Sequence, residues 1–302
     1  MNKLKKKWRF SQLNPRSSKS QRRKFTRSKV GNVFYFLILT LAGLFTLLPL
    51  IYSVATSFKP LDELMIFPPT FFVRRPTTIN YTVLPSLLSS LSVPLSRYIF
   101  NSVFISVVTT VIYIFISSMM AFVLAKSDLK GRNIIFLIIQ FSLLYNAYTL
   151  EVPRYLILSK AELIDTYWVY ILPYLPSAMG VFLLKQHMDA SVPDTIIEAA
   201  KIDGAGYFRI FAKLVLPMAK PAWLTLVLFA FRDLWSMQPS GTIFSENLKT
   251  LPMVMSQIVN GGIARSGSAM AATVILMIPP IVVYLISQGS VMETMSNAGI
   301  KG

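Results

Sequence analysis

The sequence predicts an all-α membrane protein with six transmembrane helices and both termini on the cytoplasmic side. Three observations carry this. The 302 residues are 54% hydrophobic and only 14% charged, whereas a soluble domain normally carries about 25% charged residues. The deficit is gathered into long charge-free windows at 30–58, 98–125, 133–150, 166–184 and 266–292, each close to or above the roughly 20 apolar residues a helix needs to cross a bilayer core. The remaining charges are sorted by side, beginning with twelve Lys or Arg and no acid in residues 1–29, which supply +12 of the formal +17.

Taken in order, the basic tail 1–29 precedes one membrane domain, 30–302. Lacking a folded scaffold and running straight into a span, the tail reads as a disordered juxtamembrane segment on the positive-inside side rather than a nucleic-acid arm. Each of its cations near anionic lipid is worth about 1 kcal/mol. The first span, 31–57, has too long an apolar core for a cleavable signal, and no small-residue cleavage site precedes Lys59. Segment 59–97 holds Pro60, Pro68, Pro69, Pro76, Pro85 and Pro94, which predicts an irregular loop or a short extended hairpin.

The second span, 98–125, is followed by a basic turn, 126–132, with Lys126, Lys130 and Arg132 against Asp128. The third span, 133–152, leads to the segment 151–165, where Glu151, Glu162 and Asp165 outnumber Arg154 and Lys160. The fourth span, 166–186, returns to a basic loop, 185–220. A fifth span at 217–237 is broken by Arg232 and Asp233 but keeps the apolar run Ala222 to Phe231, and a sixth lies at 268–288. The short basic loops then fall inside and 59–97, 151–165 and 238–265 fall outside. Tyr145, Tyr148, Tyr155, Tyr167, Trp168, Tyr170 and Tyr174 gather near the outer ends of spans three and four, as an interfacial aromatic belt or as rings for stacking a sugar.

With no cysteine and the single histidine His187, neither disulfide nor zinc chemistry is available, and no metal site is expected. No phosphate loop of the GxxxxGK[ST] type occurs, so the chain has no means of hydrolysing ATP. No internal repeat of the kind common in secondary transporters is visible.

The polar stretch 191–217 stands out against this apolar background. Ser191 is placed to cap a helix with Pro193 and Asp194 in its first turn. Ile196, Ile197 and Ala200 give that helix an apolar face, while Asp194, Glu198 and Lys201 are polar. Gly204 permits a turn that a residue with a Cβ resists. Phe208, Phe211 and Leu214 then give a second amphipathic helix its apolar side, returning to the membrane at Pro217. Composition alone is satisfied by a helical hairpin that only joins two spans.

The same residues resemble the EAA loop of permease subunits in ATP-binding-cassette (ABC) importers. Glu198-Ala199-Ala200, Gly204 and Leu216-Pro217 stand at that pattern's spacing, with Leu214 where the family usually has Ile. Other stretches resemble the carbohydrate-uptake branch, in particular the smaller permease subunit of the maltose type: Asp62-Glu63-Leu64 with Phe67-Pro68-Pro69, Asn80-Tyr81, Ile164-Asp165-Thr166, Phe182 to Gln186, and the terminal Gly299-Ile300-Lys301-Gly302. The likeness covers about 30–302 and leaves the tail outside it. It implies a type I importer permease fold. It also implies that Glu198, Ala199, Ala200, Asp203, Gly204, Leu216 and Pro217 form a coupling loop docked on an ATPase subunit. The implied partners are a second homologous permease, two ATPase subunits that use ATP and Mg, and an extracellular solute-binding protein that meets the 238–268 loop. Sugar would be the cargo, and this subunit would be no enzyme and bind no cofactor itself.

Where these permeases usually carry Phe-(apolar)-x-x-Trp-Asn, this chain has Phe231-Arg232-Asp233-Leu234-Trp235-Ser236. A charge inside a span costs about 2.5–3.5 kcal/mol and normally faces protein or water. Arg232 pairs with an acid of the partner subunit, or binds an acidic or hydroxyl-rich sugar bidentately. Arg232, Asp233 and Trp235, with Tyr145 and Asn146, are the candidate substrate-path residues. A permease for a non-sugar solute and a stand-alone secondary transporter are the competing readings. The second needs intramembrane acids, and spans one to four and six have none in their cores.

Overall fold

A computed structural model describes residues 29–89, 93–145, 147–239, 241–260, 262 and 265–299; the basic tail 1–28 and the terminal Ile300-Lys301-Gly302 lie outside these. Among the described residues all regular structure is helical. The chain divides into two units, Met1–Leu50 and Ile51–Gly302. The first contains most of the apolar helix α1 (Lys29–Ser57), which is long enough to cross a bilayer.

In the second unit the described part of the proline-rich segment forms no extended hairpin: two short helices are joined by an irregular stretch at 65–78. Prolines cannot donate to a ladder, and polar side chains satisfy the backbone instead. Glu63, on the short helix α2 (Leu61–Leu64), is buried and accepts the amide of Arg74 at 2.9 Å. Buried Lys59 donates to Thr70. Asn80, on α3 (Ile79–Ser89), donates to the carbonyls of Ser57 and Lys59, both at 2.8 Å.

Helix α4 (Leu95–Lys126) is continuous. Its buried stripe recurs every three or four residues through Tyr98, Ser102, Ser106, Thr109, Tyr113, Ser117 and Ala121. Small side chains on such a stripe let helices approach closely where lipid gives no hydrophobic drive to associate. The helix expected over 133–152 is interrupted: α5 (Arg132–Ser142) stops, and a 3-10 turn (Ala147–Leu150) leads into α6 (Glu151–Lys160). Neither proline nor glycine lies in 143–147, so nothing in the local sequence signals this break.

The next break has a visible cause. Pro173 and Pro176 fall between α7 (Trp168–Ile171) and α8 (Ala178–Ser191), and neither has an amide with which to continue a helical ladder. Then come α9 (Asp194–Ile202), α10 (Tyr207–Ile210), a π turn (Phe211–Val215), α11 (Leu216–Met218) and α12 (Lys220–Trp235). The pieces on either side of Ala219 are bent by 78°. Pro217 and Pro221 lack amides, and the Trp223 indole donates to the Leu216 carbonyl across the bend at 3.1 Å. Finally, a 3-10 turn (Glu246–Leu248) precedes α13 (Leu251–Val259) and α14 (Ser266–Gly299).

By length and composition three described helical stretches can cross a membrane, Val30–Ser57, Leu95–Lys126 and Ser266–Gly289, and the bent 207–235 pair is a fourth if taken as one span. Helices α4, α8, α12 and α14 pack together. The segment before α13 is fastened to α4: Asn101 donates to the carbonyls of Asn247 and Lys249 at 2.8 and 2.9 Å, and the Leu251 amide donates to the Ser102 hydroxyl at 2.7 Å.

Two contacts show how the bundle tolerates its irregularities. Pro280 inside α14 has no amide, which leaves the Leu276 carbonyl one turn earlier without its helical donor. The buried Trp235 indole donates to that carbonyl at 3.1 Å. Gly180 of α8 lies against the Tyr113 ring of α4, and any Cβ there would collide with it.

Two expectations follow for thermal unfolding of the detergent-solubilised protein. Gly180→Ala should cost about 1–3 kcal/mol through overpacking, while Gly289→Ala, with nothing within 4 Å of the new Cβ, should be neutral. Trp235→Phe should keep the ring packing yet cost roughly 1–3 kcal/mol by stranding a buried carbonyl.

Candidate functional site

The 191–217 segment folds back on the bundle. Ser191 does not cap α9; its hydroxyl donates to the His187 carbonyl at 2.7 Å, one turn back in α8, and Pro193 takes the cap position. Asp194, in the first turn of α9, accepts from Lys126 at 2.7 Å. The Lys126 side chain is only 5% exposed, so the last turn of α4 is tied to the start of α9. This hydrogen bond and the charge behind it hold the Asp194 carboxyl below the usual carboxylate range. A depressed carboxylate contributes stability above its unfolded pKa of about 3.9 and loses it as pH falls through the folded value, so the tie is intact at neutral pH.

Helix α9 ends as glycine permits. Asp203 is the C-cap, the Gly204 amide donates to Lys201 at 3.0 Å, and the Ala205 amide reaches Ala200 at 2.9 Å. Gly204 sits at φ +78°, with nothing within 4 Å of where a Cβ would stand. The glycine is required by backbone conformation, not by a close neighbour.

Beyond the bend, the buried face differs from the expected one. Ile210, Phe211 and Val215 point inward and Phe208 is 65% exposed; the π turn at 211–215 makes the step from Ile210 to Val215 on the buried face five residues long. Together with Ile197 they pack into one cluster with Phe122 of α4 and Leu184 and Met188 of α8. The Phe211 and Phe122 ring centroids are 5.7 Å apart. Ile196, expected on the apolar face, is exposed.

The opposite surface is open. Glu198, Ala199, Asp203, Gly204 and Pro217 are exposed, while Ala200 and Leu216 are half-buried. Ile202, Tyr207 and Phe208 add exposed apolar area beside them. Sequence periodicity put Phe208 on the buried side and did not single out Ile202 or Tyr207, which flank the bend at Gly204.

The candidate path residues are spread out. Arg232 and Asp233 are exposed on the last turn of α12, and Asp233 accepts from the Tyr174 hydroxyl at 3.4 Å. Trp235 is buried between α12 and α14, as described above. Tyr145 is 70% exposed just beyond α5, and Asn146 lies outside the described residues. Past the end of α12 a cavity of about 240 Å³ has an apolar floor of Leu158 and Val169 and a polar rim that includes Arg154, Tyr155 and Gln238. Among the described residues no cluster of three or more His, Cys, Asp or Glu is placed to hold a metal ion.

No family model matches the chain. Individual relatives do. It is 30% identical over 299 residues to the protein LplC of Bacillus subtilis (strain 168), covering 91% of this chain and 97% of that one. It is 30% identical over 269 residues to SmoH of Agrobacterium fabrum, the permease protein of a sulfoquinovosyl glycerol transport system, covering 88% and 91%. Identity to AraQ of Bacillus subtilis (strain 168), the permease protein of an arabinooligosaccharide transport system, is 26% over 280 residues, covering 92% and 98%. Among solved structures, a chain of a bacterial ABC transporter that imports the acidic polysaccharide alginate matches with a TM-score of 0.69 at 23% identity, over 87% of this chain and 98% of that one. With this helical fold and relatives matched over almost their whole length, the chain belongs to the carbohydrate-uptake family of ABC transporter permease subunits.

Proposed function

We propose that this subunit supplies half of the translocation path of a heteromeric, ATP-driven importer in the cell membrane. In this reading it crosses the membrane six times, with both termini and the 191–217 loop in the cytoplasm. A second homologous permease completes the path, two ATPase subunits supply the ATP and Mg chemistry, and an extracellular solute-binding protein delivers the cargo. Access alternates between the two sides as the spans rock.

The observation that carries the coupling role is the two-sided build of 194–217. Its back, Ile197, Ile210, Phe211 and Val215, is buried against α4 and α8. Its front presents Glu198, Ala199, Asp203 and Gly204. A knuckle held by a buried cluster passes a push from an ATPase subunit to α4, α8 and α12 together, whereas a loose connector absorbs it. Small alanines allow close approach, and the Glu198 carboxylate offers a partner to a basic group.

The cargo proposed is a di- or oligosaccharide, with acidic sugars included. Arabinooligosaccharide, sulfoquinovosyl glycerol and alginate systems among the relatives support this class. Arg232 and Asp233 are the residues of this chain assigned to the path, with Trp235 fixing α12 behind them and Tyr145 near its mouth.

Two measurements test these assignments. Gly204→Val forces a β-branched residue to φ +78°, a strain of about 1–3 kcal/mol. In reconstituted complexes it should uncouple ATP hydrolysis from uptake with membrane insertion intact; retained coupling returns the loop to a connector. Arg232→Ala should lower uptake of an acidic oligosaccharide about tenfold or more, the loss of one charge-assisted bond, and spare a neutral one. Equal uptake of both by a normally assembled variant removes Arg232 from the path.

A further inference from the structure

Asp165 stands in a conformation that costs energy and makes more bonds than a loop residue needs. Its φ is +60°, a left-handed backbone that side chains other than glycine rarely adopt, with Asp and Asn the better tolerated. Such strain persists where surrounding contacts over-determine it. Here those contacts all go to one distant turn. The carboxylate accepts the amides of Phe244 and Ser245, each at 2.9 Å, and the Ser245 hydroxyl. The Asp165 amide in turn donates to the Thr242 carbonyl at 2.9 Å.

The turn so held has an unusual content. Phe244, whose amide Asp165 binds, is 63% exposed, a large ring kept outward in a polar loop. Farther along, the loop is fastened independently to α4 through Asn101. Asp165 therefore governs the tip at 242–245, and Asn101 the base. The donors around Asp165, the Ser245 hydroxyl first, hold its carboxyl below the ordinary carboxylate range, so it is a charged acceptor at neutral pH.

We propose that Asp165 is a positioning residue that fixes the 242–245 tip and presents Phe244 to the solute-binding protein. This rests on the reading that the 238–268 loop faces that partner. Rigid aromatic side chains are favoured anchors at interfaces, and an anchor fixed before docking avoids the cost of ordering it at contact.

The test uses three variants and two readouts. Asp165→Gly accepts the left-handed backbone but removes every acceptor, Asp165→Asn keeps an acceptor for the two amides, and Ser245→Ala removes one donor. First, because the chain has no cysteine, a nitroxide on Phe244→Cys reports tip mobility alone. The label should be immobilised with Asp165 or Asn at 165, partly freed by Ser245→Ala and fully freed by glycine. Second, with Phe244 in place, substrate-dependent ATPase of the reconstituted complex is titrated with the binding protein. Asp165→Gly should raise the half-saturating concentration about tenfold with the maximal rate retained, and Asp165→Asn should restore it. A label equally immobile in Asp165→Gly overturns the clamp, and an unchanged half-saturation with a mobile label overturns the positioning role. If the unmodified complex ignores the binding protein altogether, the importer reading fails and the positioning role falls with it, while the label still decides the clamp.

Discussion

The contact on which the rest of the structure depends is the burial of Ile210, Phe211 and Val215 against Phe122, Leu184 and Met188. Without it the polar 194–217 segment would be a tether between helices, free to move without moving them. Each large apolar side chain withdrawn from water is worth about 1.5–3 kcal/mol, so several together outweigh the cost of one π turn and of ordering a flexible glycine. Lys126 and Asp194 add a polar tie at the other end of the segment. The result is a bent element whose inner face belongs to the bundle and whose outer face is exposed.

A second constraint shapes the helices themselves. Within a bilayer every backbone amide and carbonyl needs a partner inside the protein, yet this chain places prolines within its apolar helices. It answers with indole donors. Trp235 reaches the Leu276 carbonyl that Pro280 leaves bare, and Trp223 reaches Leu216 across the 78° bend between α11 and α12. The Phe231 and Trp235 rings stack at 5.8 Å, which fixes the face of α12 behind Arg232 and Asp233. Structural demands thus account for Trp235, while Arg232 and Asp233 stand exposed on the same turn.

Much of this could be read from residue order. Charge-free windows locate α1, α4 and α14, since length and apolarity are local properties. Glu198 to Pro217 marks itself by polarity, and Gly204 by its position after a short amphipathic helix. What periodicity missed depends on contacts between distant residues. The proline-rich 59–97 stretch folds around Glu63, Lys59 and Asn80, each satisfied by backbone groups far along the chain. The π turn makes the step from Ile210 to Val215 on the buried face five residues long, a one-residue slip in hydrogen bonding that no 3.6-residue pattern encodes. Asp165 looks like one acid among three in a short loop, and only its reach to residues about 80 positions later sets it apart.

The central claim is that the loop and helix α4 move as one body when the ATPase subunits close. The chain contains no cysteine, so two nitroxide labels can be placed at Thr195→Cys on α9 and Val123→Cys on α4, both exposed positions. Their separation is measured by double electron–electron resonance in the assembled transporter, with and without bound ATP. The account predicts that the distance changes by less than about 2 Å, the scale of small packed-helix shifts. A change of about 5 Å or more, the size of a one-turn slip, would show the loop sliding over α4 and contradict it.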